Sequence, residues 1–305
     1  MAISGYATIS RTVAELISAT EEHLGKNRHQ LNRLNAAITT VGQATATMEF
    51  ELGAIRNGAY LEIDDEVLFV WSVAGQVATV ERGALGTTPA THLTASLVRV
   101  NPRFFRYQIL KALREDINSW PRSVFPVIKG EYDLAINVSS IDLAGIPAGA
   151  QSLRLLKVWR QQTGTTYSPQ RWPGIPGVML EPAANLDTFA SGYRLVWPSQ
   201  HTAGTYQVAI GGPFVTSTFV SATDLGTIGL TVPMIDIPPL GAAARLMLPQ
   251  ETQRANPAAI GRSRLADEVP PGHISQTAQE LLAWRDRRLD DEAKRLLNDY
   301  GWTEG

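Results

Sequence analysis

The sequence contains no cysteine among its 305 residues, which excludes disulfide bonds, thiolate metal sites and a cysteine nucleophile. It also lacks an apolar run close to the roughly 18 residues that a membrane-spanning helix needs. Residues 1–5 show no basic region followed by an apolar stretch, so we predict no secretion signal and no membrane partner. Lys and Arg nearly balance Asp and Glu, with a formal net charge of −2. Attraction to nucleic acid would therefore be local.

What is present indicates a folded protein with a sizeable core. Hydrophobic residues make up 44% of the sequence and charged residues 18%, which is typical of globular chains rather than disordered ones. A length of 305 residues is compatible with one large domain or with two to three small domains.

Helical periodicity recurs in four separate parts of the chain. Apolar side chains in residues 11–39 recur at intervals of three, four and seven, which predicts one helix or two stacked helices. Asn101-Pro102 provides a helix cap and a first-turn proline for a second helix that ends before Pro121. A small-residue apolar helix is predicted around residues 240–247, and a charged helix runs from Ser275 to Tyr300.

The regions between these helices have the short, alternating pattern of β-strands. Residues 48–100 contain several β-rich runs separated by the hairpin signals Asp64-Asp65-Glu66 and Ala74-Gly75, which predicts a small β-barrel or curled sheet. Residues 124–235 combine strand runs, Gly/Pro turns and tryptophans in strand contexts, which predicts a β-sandwich.

We therefore predict an α+β protein, a discontinuous helical bundle with two β insertions, because isolated amphipathic helices are marginal in water and gain stability by packing together. The predicted segments are the N-terminal bundle helix (1–45), the small β-module (46–100), a bundle helix (101–123), the β-sandwich insertion (124–235), a bundle helix with linker (236–269) and a C-terminal docking helix and tail (270–305).

The stretch TVERGALGTTPATH, residues 79–92, has the glycines, threonines and lone histidine of an active-site loop. A phosphate-binding loop requires a lysine after its second glycine, and Thr87 follows Gly86 here. The stretch is therefore interpreted as a turn in which Gly83 and Gly86 supply positive φ. A metal site at the Asp64-Asp65-Glu66 carboxylates is the weaker alternative to a solvated hairpin tip.

Catalytic signatures are scarce in the sequence. It contains no Gly-x-Ser-x-Gly elbow and no Ser-x-x-Lys pair. Glu131 and Asp133 bracket Tyr132 in a strand pattern and form a candidate glycosidase pair. Stacking platforms for a sugar would come from the tryptophans Trp159, Trp172 and Trp197, although core packing is the more common role of such residues. We predict no catalytic residue, no cofactor and no metal ion, and no enzymatic activity.

The C-terminal helix alternates charges densely and then ends in apolar and aromatic residues. Its charges are typical of a solvated helix with i,i+4 ion pairs. Aromatic residues at the end of a chain are also suitable anchors for a partner. The candidate docking residues are Leu296, Leu297, Tyr300 and Trp302.

The region YLEIDDEVLFVWSV followed by ATVERGALGTTPATH resembles a small β-module of tailed-bacteriophage virion proteins. In that module an Ile-Asp-Asp/Glu-Glu hairpin leads to Val-x-Arg-Gly-x-x-Gly-Thr-x-x-x-x-His. The resemblance covers about thirty residues, and it implies a phage structural protein. The matching signature residues in this chain are Asp64, Asp65, Glu66, Arg82, Gly83, Gly86, Thr87 and His92.

The discontinuous helical pattern, with LGAAARLMLPQETQR before a charged terminal helix, is similar to the head-to-tail adaptors of the virion neck. Members of that connector family form a ring, usually a dodecamer, beneath the portal, and their C-terminal segments insert into the portal. The resemblance implies a homo-oligomer that contacts the portal protein and tail-side neck or stopper proteins. It implies that the ring lines a channel and lies close to the DNA inside it without binding a specific sequence. It also implies a location at the head-tail junction of the virion and assembly in the host cytoplasm. The two large β insertions depart from the compact members of the family.

Two alternatives remain open from the sequence. The chain could be another virion component, a collar, tail-tip or fibre-base protein with a receptor- or glycan-facing β-sandwich. A glycan-cleaving enzyme that uses Glu131 or Asp133 is less favoured.

Overall fold

The structure is a computed structural model that describes residues 10–25, 29–136, 138–143, 153–161, 173–182, 184–198, 202–217, 219–254 and 273–300. These residues form a mixed α and β fold with five helices and twelve strands in three sheets. The predicted α+β class is therefore confirmed. No helix in the described residues is long and apolar enough to span a membrane.

The helices are α1 (Val13–His23), α2 (Arg106–Asn118), α3 (Leu225–Ile228), α4 (Ile237–Arg254) and α5 (His273–Tyr300). Two compact units partition the chain. We call the first the barrel unit, and it comprises Ala14–Asp116 and Pro238–Trp284. The second, the two-sheet unit, comprises Met1–Val13, Ile117–Ile237 and Arg285–Gly305.

The predicted helix over residues 11–39 is wrong beyond His23. Gly25 has a φ of 79°, a left-handed conformation that ends a helix and that glycine adopts without strain. Leu31 then lies in a β-strand and is exposed, whereas Leu34 and Ile38 are buried in the core of a sheet. The spacings of three, four and seven residues among these side chains are therefore compatible with extended chain, and they do not report a helix here.

The start of the second helix also differs from the prediction. The helix begins at Arg106, and Asn101 does not cap it. Asn101 has a φ of 48°, and its side-chain Oδ1 accepts a hydrogen bond from the backbone N–H of Tyr60 at 2.8 Å. The Asn-Pro pair therefore closes the end of a strand, and the helix starts four residues later than the pattern suggests.

The barrel unit contains a six-stranded sheet that curls into a half-barrel. Its strands are β1 (Gln30–Arg33), β2 (Thr45–Thr47), β3 (Tyr60–Ile63), β4 (Glu66–Ala74), β5 (Val77–Glu81) and β6 (Leu97–Val100). They are antiparallel in the order β1-β6-β3-β4-β5-β2. Strands β3 to β6 match the strands predicted from alternation and hairpin signals, whereas β1 lies within the predicted helix over residues 11–39 and β2 precedes residue 48.

The two edge strands of this sheet meet each other. Leu34 and Met48 form an antiparallel bridge, and the backbone N–H of Glu49 donates to the carbonyl of Arg33 at 2.8 Å. The buried side chain of Asn32 extends the pairing, because its amide donates to the carbonyl of Phe50 and its Oδ1 accepts from the Phe50 N–H. The edges are thereby paired, which protects them from other chains.

One buried cluster fills the inside of the half-barrel. It is composed of alternate residues on each strand, so their side chains point to the same face. The cluster contains Leu34, Ile38, Ala46, Met48, Ile55, Ala59, Leu61, Ile63, Leu68, Val70, Ala78, Val80, Val98 and Val100. At about 25 cal/mol per Å² of apolar surface, burial on this scale is the main stabilising contribution to the module.

Helices α2 and α4 approach closely within the barrel unit. A side chain at Gly241 would place its Cβ only 2.0 Å from Oδ1 of Asp116, so glycine is required for the contact. Asp116 is fully buried, and Nε of Arg245, one turn along α4, lies 3.7 Å from the same Oδ1 atom. The small-residue pattern of α4 thus allows a buried ion pair between the two helices.

The two-sheet unit contains two three-stranded antiparallel sheets. One has the order β7-β12-β9 and the other β10-β11-β8. Their strands are β7 (Val127–Leu134), β8 (Ser140–Asp142), β9 (Arg154–Arg160), β10 (Met179–Pro182), β11 (Tyr193–Val196) and β12 (Gly204–Gly211). Both sheets contribute to one hydrophobic cluster, in which Trp197 packs against Tyr206 with ring centroids 4.8 Å apart.

Candidate functional site

The signature residues of the β-module come together around one carboxylate. Asp64 and Asp65 form the turn between β3 and β4, and Glu66 begins β4. Asp64 has a φ of 54°, a conformation that aspartate tolerates better than most residues. Arg82 follows β5 directly, and the backbone of His92 pairs with Ile38.

Glu66 accepts hydrogen bonds from residues in the connection between β5 and β6. Arg82 donates through Nε at 2.8 Å and through Nη2 at 2.7 Å, in a bidentate pair. The backbone N–H groups of Gly83 and Ala90 donate at 3.0 and 2.9 Å, and Nε2 of His92 lies 2.8 Å from Oε2. The Glu66 side chain is only 1% exposed, so it forms the buried centre of this network.

His92 lies between two carboxylates. Its Nδ1 is 2.9 Å from Oδ2 of Asp64, and its Nε2 contacts Glu66. Burial lowers the pKa of His92, but the hydrogen bonds and charges of Asp64 and Glu66 outweigh it and raise the pKa to about 9. At neutral pH the imidazole is therefore charged, donates from both nitrogens and has no lone pair with which to accept a proton.

The pKa values of the two carboxylates, Asp64 and Glu66, shift downward. Burial raises the pKa of Glu66, but hydrogen bonds from His92, Arg82 and two backbone N–H groups lower it to about 2. The hydrogen bond with His92 likewise lowers the pKa of Asp64. The network thus consists of two anions and two cations at neutral pH, which is an arrangement for holding loops together.

Arg82 extends the network to the surrounding loops. Its Nη1 donates to the carbonyls of Thr40 at 3.1 Å and Gln43 at 3.2 Å, and its Nη2 donates to the carbonyl of Ala90. One guanidinium group therefore connects three loop carbonyls to Glu66. A lysine could not make this set of contacts, because its ammonium group cannot span the fork of a guanidinium.

The glycine loop is a turn and not a phosphate cradle. Gly83 has a φ of 64°, and a Cβ there would lie 2.8 Å from the carbonyl oxygen of Thr87. Its N–H is already bonded to Glu66. The Thr87 hydroxyl accepts from the N–H of Val67 at 3.0 Å and donates to the carbonyl of Ala84 at 2.9 Å. Gly86 has a φ of 80° with open space around it.

The three consecutive acids of the hairpin are divided between two cations. Asp65 pairs with Nε of Arg106 at 3.3 Å, whereas Asp64 and Glu66 pair with His92. Within the described part of the chain, no group of three His, Asp or Glu side chains is arranged to hold a metal ion. The structure gives the metal alternative no support at this hairpin.

Glu62 is a buried group that the sequence pattern did not identify. The backbone N–H of Arg106 donates to Oε1 of Glu62. Nη1 of Arg99 lies 3.7 Å from Oε2 of Glu62 and also bonds to Glu21. Burial raises the pKa of Glu62, and although Arg106 and Arg99 lower it, the result is about 7. Strand alternation does not indicate that Glu62 is buried. Only the Arg106 contact reveals that the start of α2 covers it.

The predicted docking residues have different environments. Leu296 is buried, and Tyr300 packs against Trp159 with ring centroids 6.5 Å apart. Leu297 is 44% exposed. Trp302 lies outside the described residues. Tyr300 therefore makes a contact within the two-sheet unit, and Leu297 is the most exposed of the described candidates.

The candidate glycosidase residues lie on an exposed sheet face. Asp133 accepts from the Thr205 hydroxyl at 2.6 Å, and Glu131 accepts from Gln207 at 3.3 Å, each from the residue opposite on β12. The expected sugar platforms are not available in the described residues, because Trp159 and Trp197 are buried. Trp172 lies outside the described residues.

No protein-family model matches the sequence, and no curated protein sequence matches it. The resemblance to phage virion proteins therefore rests on the signature residues and stays a prediction.

Proposed function

We propose that the protein is a structural virion protein, a ring-forming head-to-tail adaptor of the phage neck that joins the portal to the tail. The observation that carries the proposal is the buried network around Glu66. Six of the eight signature residues, Asp64, Glu66, Arg82, Gly83, Thr87 and His92, contact one another directly or through the turn they form. The motif shared with virion proteins is therefore accounted for by structural bonds alone.

The chain order supports a discontinuous helical bundle with two β insertions. The strands β1–β6 lie between α1 and α2, and β7–β12 lie between α2 and α4. The Asp116–Gly241 contact brings α2 and α4 together, although 125 positions separate the two residues in the sequence numbering. The core shared by the two smaller sheets is the packing expected of a β-sandwich insertion.

In this proposal the oligomer is a ring, with twelve subunits as in the resembling family, and it lines part of the DNA channel. The protein acts mechanically, and no cofactor or catalytic residue is involved. The C-terminal segment supplies the portal contact through Leu297 and Trp302, whereas Tyr300 packs against Trp159. Leu296 is buried, so its role is to hold the helix in place and not to touch the portal.

The first test is the native mass of the full chain, alone and mixed with the cognate portal ring. The adaptor proposal predicts a ring-sized oligomer, or a monomer that assembles on the portal. A chain shortened by residues 301–305 keeps Leu296 and Tyr300, so it is expected to fold and to lose portal binding. A matched control is Met179→Ser, which removes an exposed apolar side chain on β10, far along the chain from this segment.

A stable trimer that does not bind the portal would contradict the adaptor proposal and would favour the tail-tip or fibre-base alternative. Portal binding that is unchanged in the shortened chain would contradict the role of the C-terminal segment alone. The two results separate the proposed function from the proposed contact.

A further inference from the structure

A pocket of about 230 Å³ lies within the two-sheet unit, at the end where β7, β9 and β12 meet. Its aromatic wall includes Trp120 and Phe214, whose rings meet edge to face with centroids 5.1 Å apart. Gly211 shapes the wall as well, because a Cβ there would lie 2.8 Å from the ring of Phe125. The pocket therefore has firm apolar walls that are built by packing in its own unit.

The charged residues that line the pocket are basic. Arg122 and Arg154 both line it, and Nη1 of Arg154 donates to the backbone carbonyl of Arg122 at 3.4 Å, which draws the Arg154 side chain towards the rim. None of the lining residues that the structure describes is acidic. Two guanidinium groups beside aromatic rings favour a ligand that combines a carboxylate with an apolar group.

The tip of the β10–β11 hairpin, in the same unit, has this combination. Leu186 is 70% exposed, the largest exposure among the large apolar residues described in the two-sheet unit, and the adjacent Asp187 is exposed as well. Asn185 holds the turn, since its Oδ1 accepts from the N–H of Asp187 at 2.9 Å and its carbonyl accepts from the N–H of Phe189. The tip therefore presents Leu186 and Asp187 in a defined turn.

We propose that the Leu186–Asp187 tip of one copy inserts into the Trp120–Arg122–Arg154 pocket of a second copy. The leucine side chain fills the aromatic part of the pocket, and the Asp187 carboxylate pairs with the guanidinium groups. A contact between a projection and a different surface is heterologous, and repeated contacts of this kind form a ring when the rotation between neighbouring copies closes. The inference rests on the proposed function, because it names the contact that joins neighbouring subunits of the proposed ring.

The natural absence of cysteine makes this contact directly testable. Thr188→Cys chains, which keep Leu186 and Asp187 at the tip, are mixed with Pro121→Cys chains, in which an exposed pocket residue is changed, and the mixture is oxidised. A disulfide between the two kinds of chain is necessarily intermolecular. The control is a mixture of Pro121→Cys chains with Met179→Cys chains, whose cysteine lies at an exposed position on β10. We expect the disulfide between tip and pocket to form in at least tenfold higher yield than the disulfide in this control.

A charge exchange tests the ionic part of the contact. Asp187→Arg alone and Arg122→Glu alone are each expected to lower the disulfide yield at least tenfold. Mixing Thr188→Cys chains that carry Asp187→Arg with Pro121→Cys chains that carry Arg122→Glu is expected to recover much of the yield. Circular dichroism and thermal unfolding of each variant show whether it has folded, so that a loss of yield in a folded variant bears on the contact itself.

The outcomes separate this inference from the proposed function. A ring-sized native mass with a disulfide yield no higher than that of Met179→Cys overturns the inference and leaves the ring proposal standing. A high, charge-dependent yield in a chain that never exceeds a dimer, alone or with the portal, supports the contact and overturns the ring. A chain that stays monomeric both alone and with the portal, and that gives only the control yield, overturns both.

Discussion

The Nε2 atom of His92 lies 2.8 Å from the Oε2 atom of Glu66, and both side chains are only 1% exposed. This pair connects the start of β4 with a loop 26 positions further along the chain. It also explains why a motif that looks like an active site performs a structural task. A histidine held between carboxylates is already protonated, so its contribution is to fold stability, which can be measured.

We expect the stability of the chain to fall as pH rises from about 6.5 to 9. The pKa of His92 is raised from 6.5 to about 9 in the folded state, so the folded state binds the proton more tightly. The stabilisation is complete below pH 6.5 and is lost as pH passes through 9. Urea unfolding at pH 6 and pH 9 measures this decline. A His92→Gln variant showing the same decline between these pH values would contradict the assignment to His92.

Replacing the centre of the network should be strongly destabilising. Glu66→Gln removes the charge that balances Arg82 and His92 inside the module, and breaking a buried ion pair costs about 3–5 kcal/mol. The matched control is Glu81→Gln, an exposed position on β5, where we expect a change within about 0.5 kcal/mol. Equal losses in the two variants, measured by chemical denaturation, would show that the Glu66 network does not stabilise the module.

The two glycines of the loop should differ in their tolerance of alanine. Both have positive φ, which costs an alanine about 1–2 kcal/mol. At Gly83 the new Cβ also meets the Thr87 carbonyl oxygen and the ring of Pro89, whereas at Gly86 it meets nothing within 4 Å. We therefore expect Gly83→Ala to lower the free energy of unfolding more than Gly86→Ala does. Thermal unfolding compares them, and the reverse order would contradict the steric argument.

Glu62 should give the stability of the fold a second pH dependence, at lower pH than that of His92. Its pKa is raised from 4.5 to about 7 in the folded state, so its contribution to stability is complete below pH 4.5 and is lost as pH rises through 7. The loss in the wild type is at most about 3 kcal/mol, at 1.36 kcal/mol per pKa unit. Glu62→Gln cannot ionise and should show no such decline. Parallel stability curves for the two proteins between pH 4.5 and 7 would refute this explanation.

Contact between α2 and α4 should be sensitive to one methyl group. Gly241→Ala places a Cβ 2.0 Å from Oδ1 of Asp116, so the helices must separate or Asp116 must move. We expect a loss of about 2 kcal/mol or more, as for other overpacked sites. Adding Asp116→Ala relieves the clash, so the double variant should be less destabilised than the sum of the single variants. Additive effects in this double-mutant cycle would contradict a direct contact.

Four of the six strands of the β-module and the identity of its loop residues follow from local sequence signals. Alternation and turn chemistry act between near neighbours, so the strands from Tyr60–Ile63 to Leu97–Val100 and the positive φ of Gly83 could be predicted locally. The mixed α and β class followed from the same local signals.

Tertiary structure decided the features that depend on distant residues. The periodicity of residues 24–39 suggested a helix, but Leu34 and Ile38 gain more by joining the core of the half-barrel. Burial of Glu62 depends on Arg106, and the contact between Gly241 and Asp116 depends on two helices far apart in the chain. The charge of His92 could likewise not be predicted from the sequence. Its pKa is set by burial and by the charges of Asp64 and Glu66, which folding brings next to it.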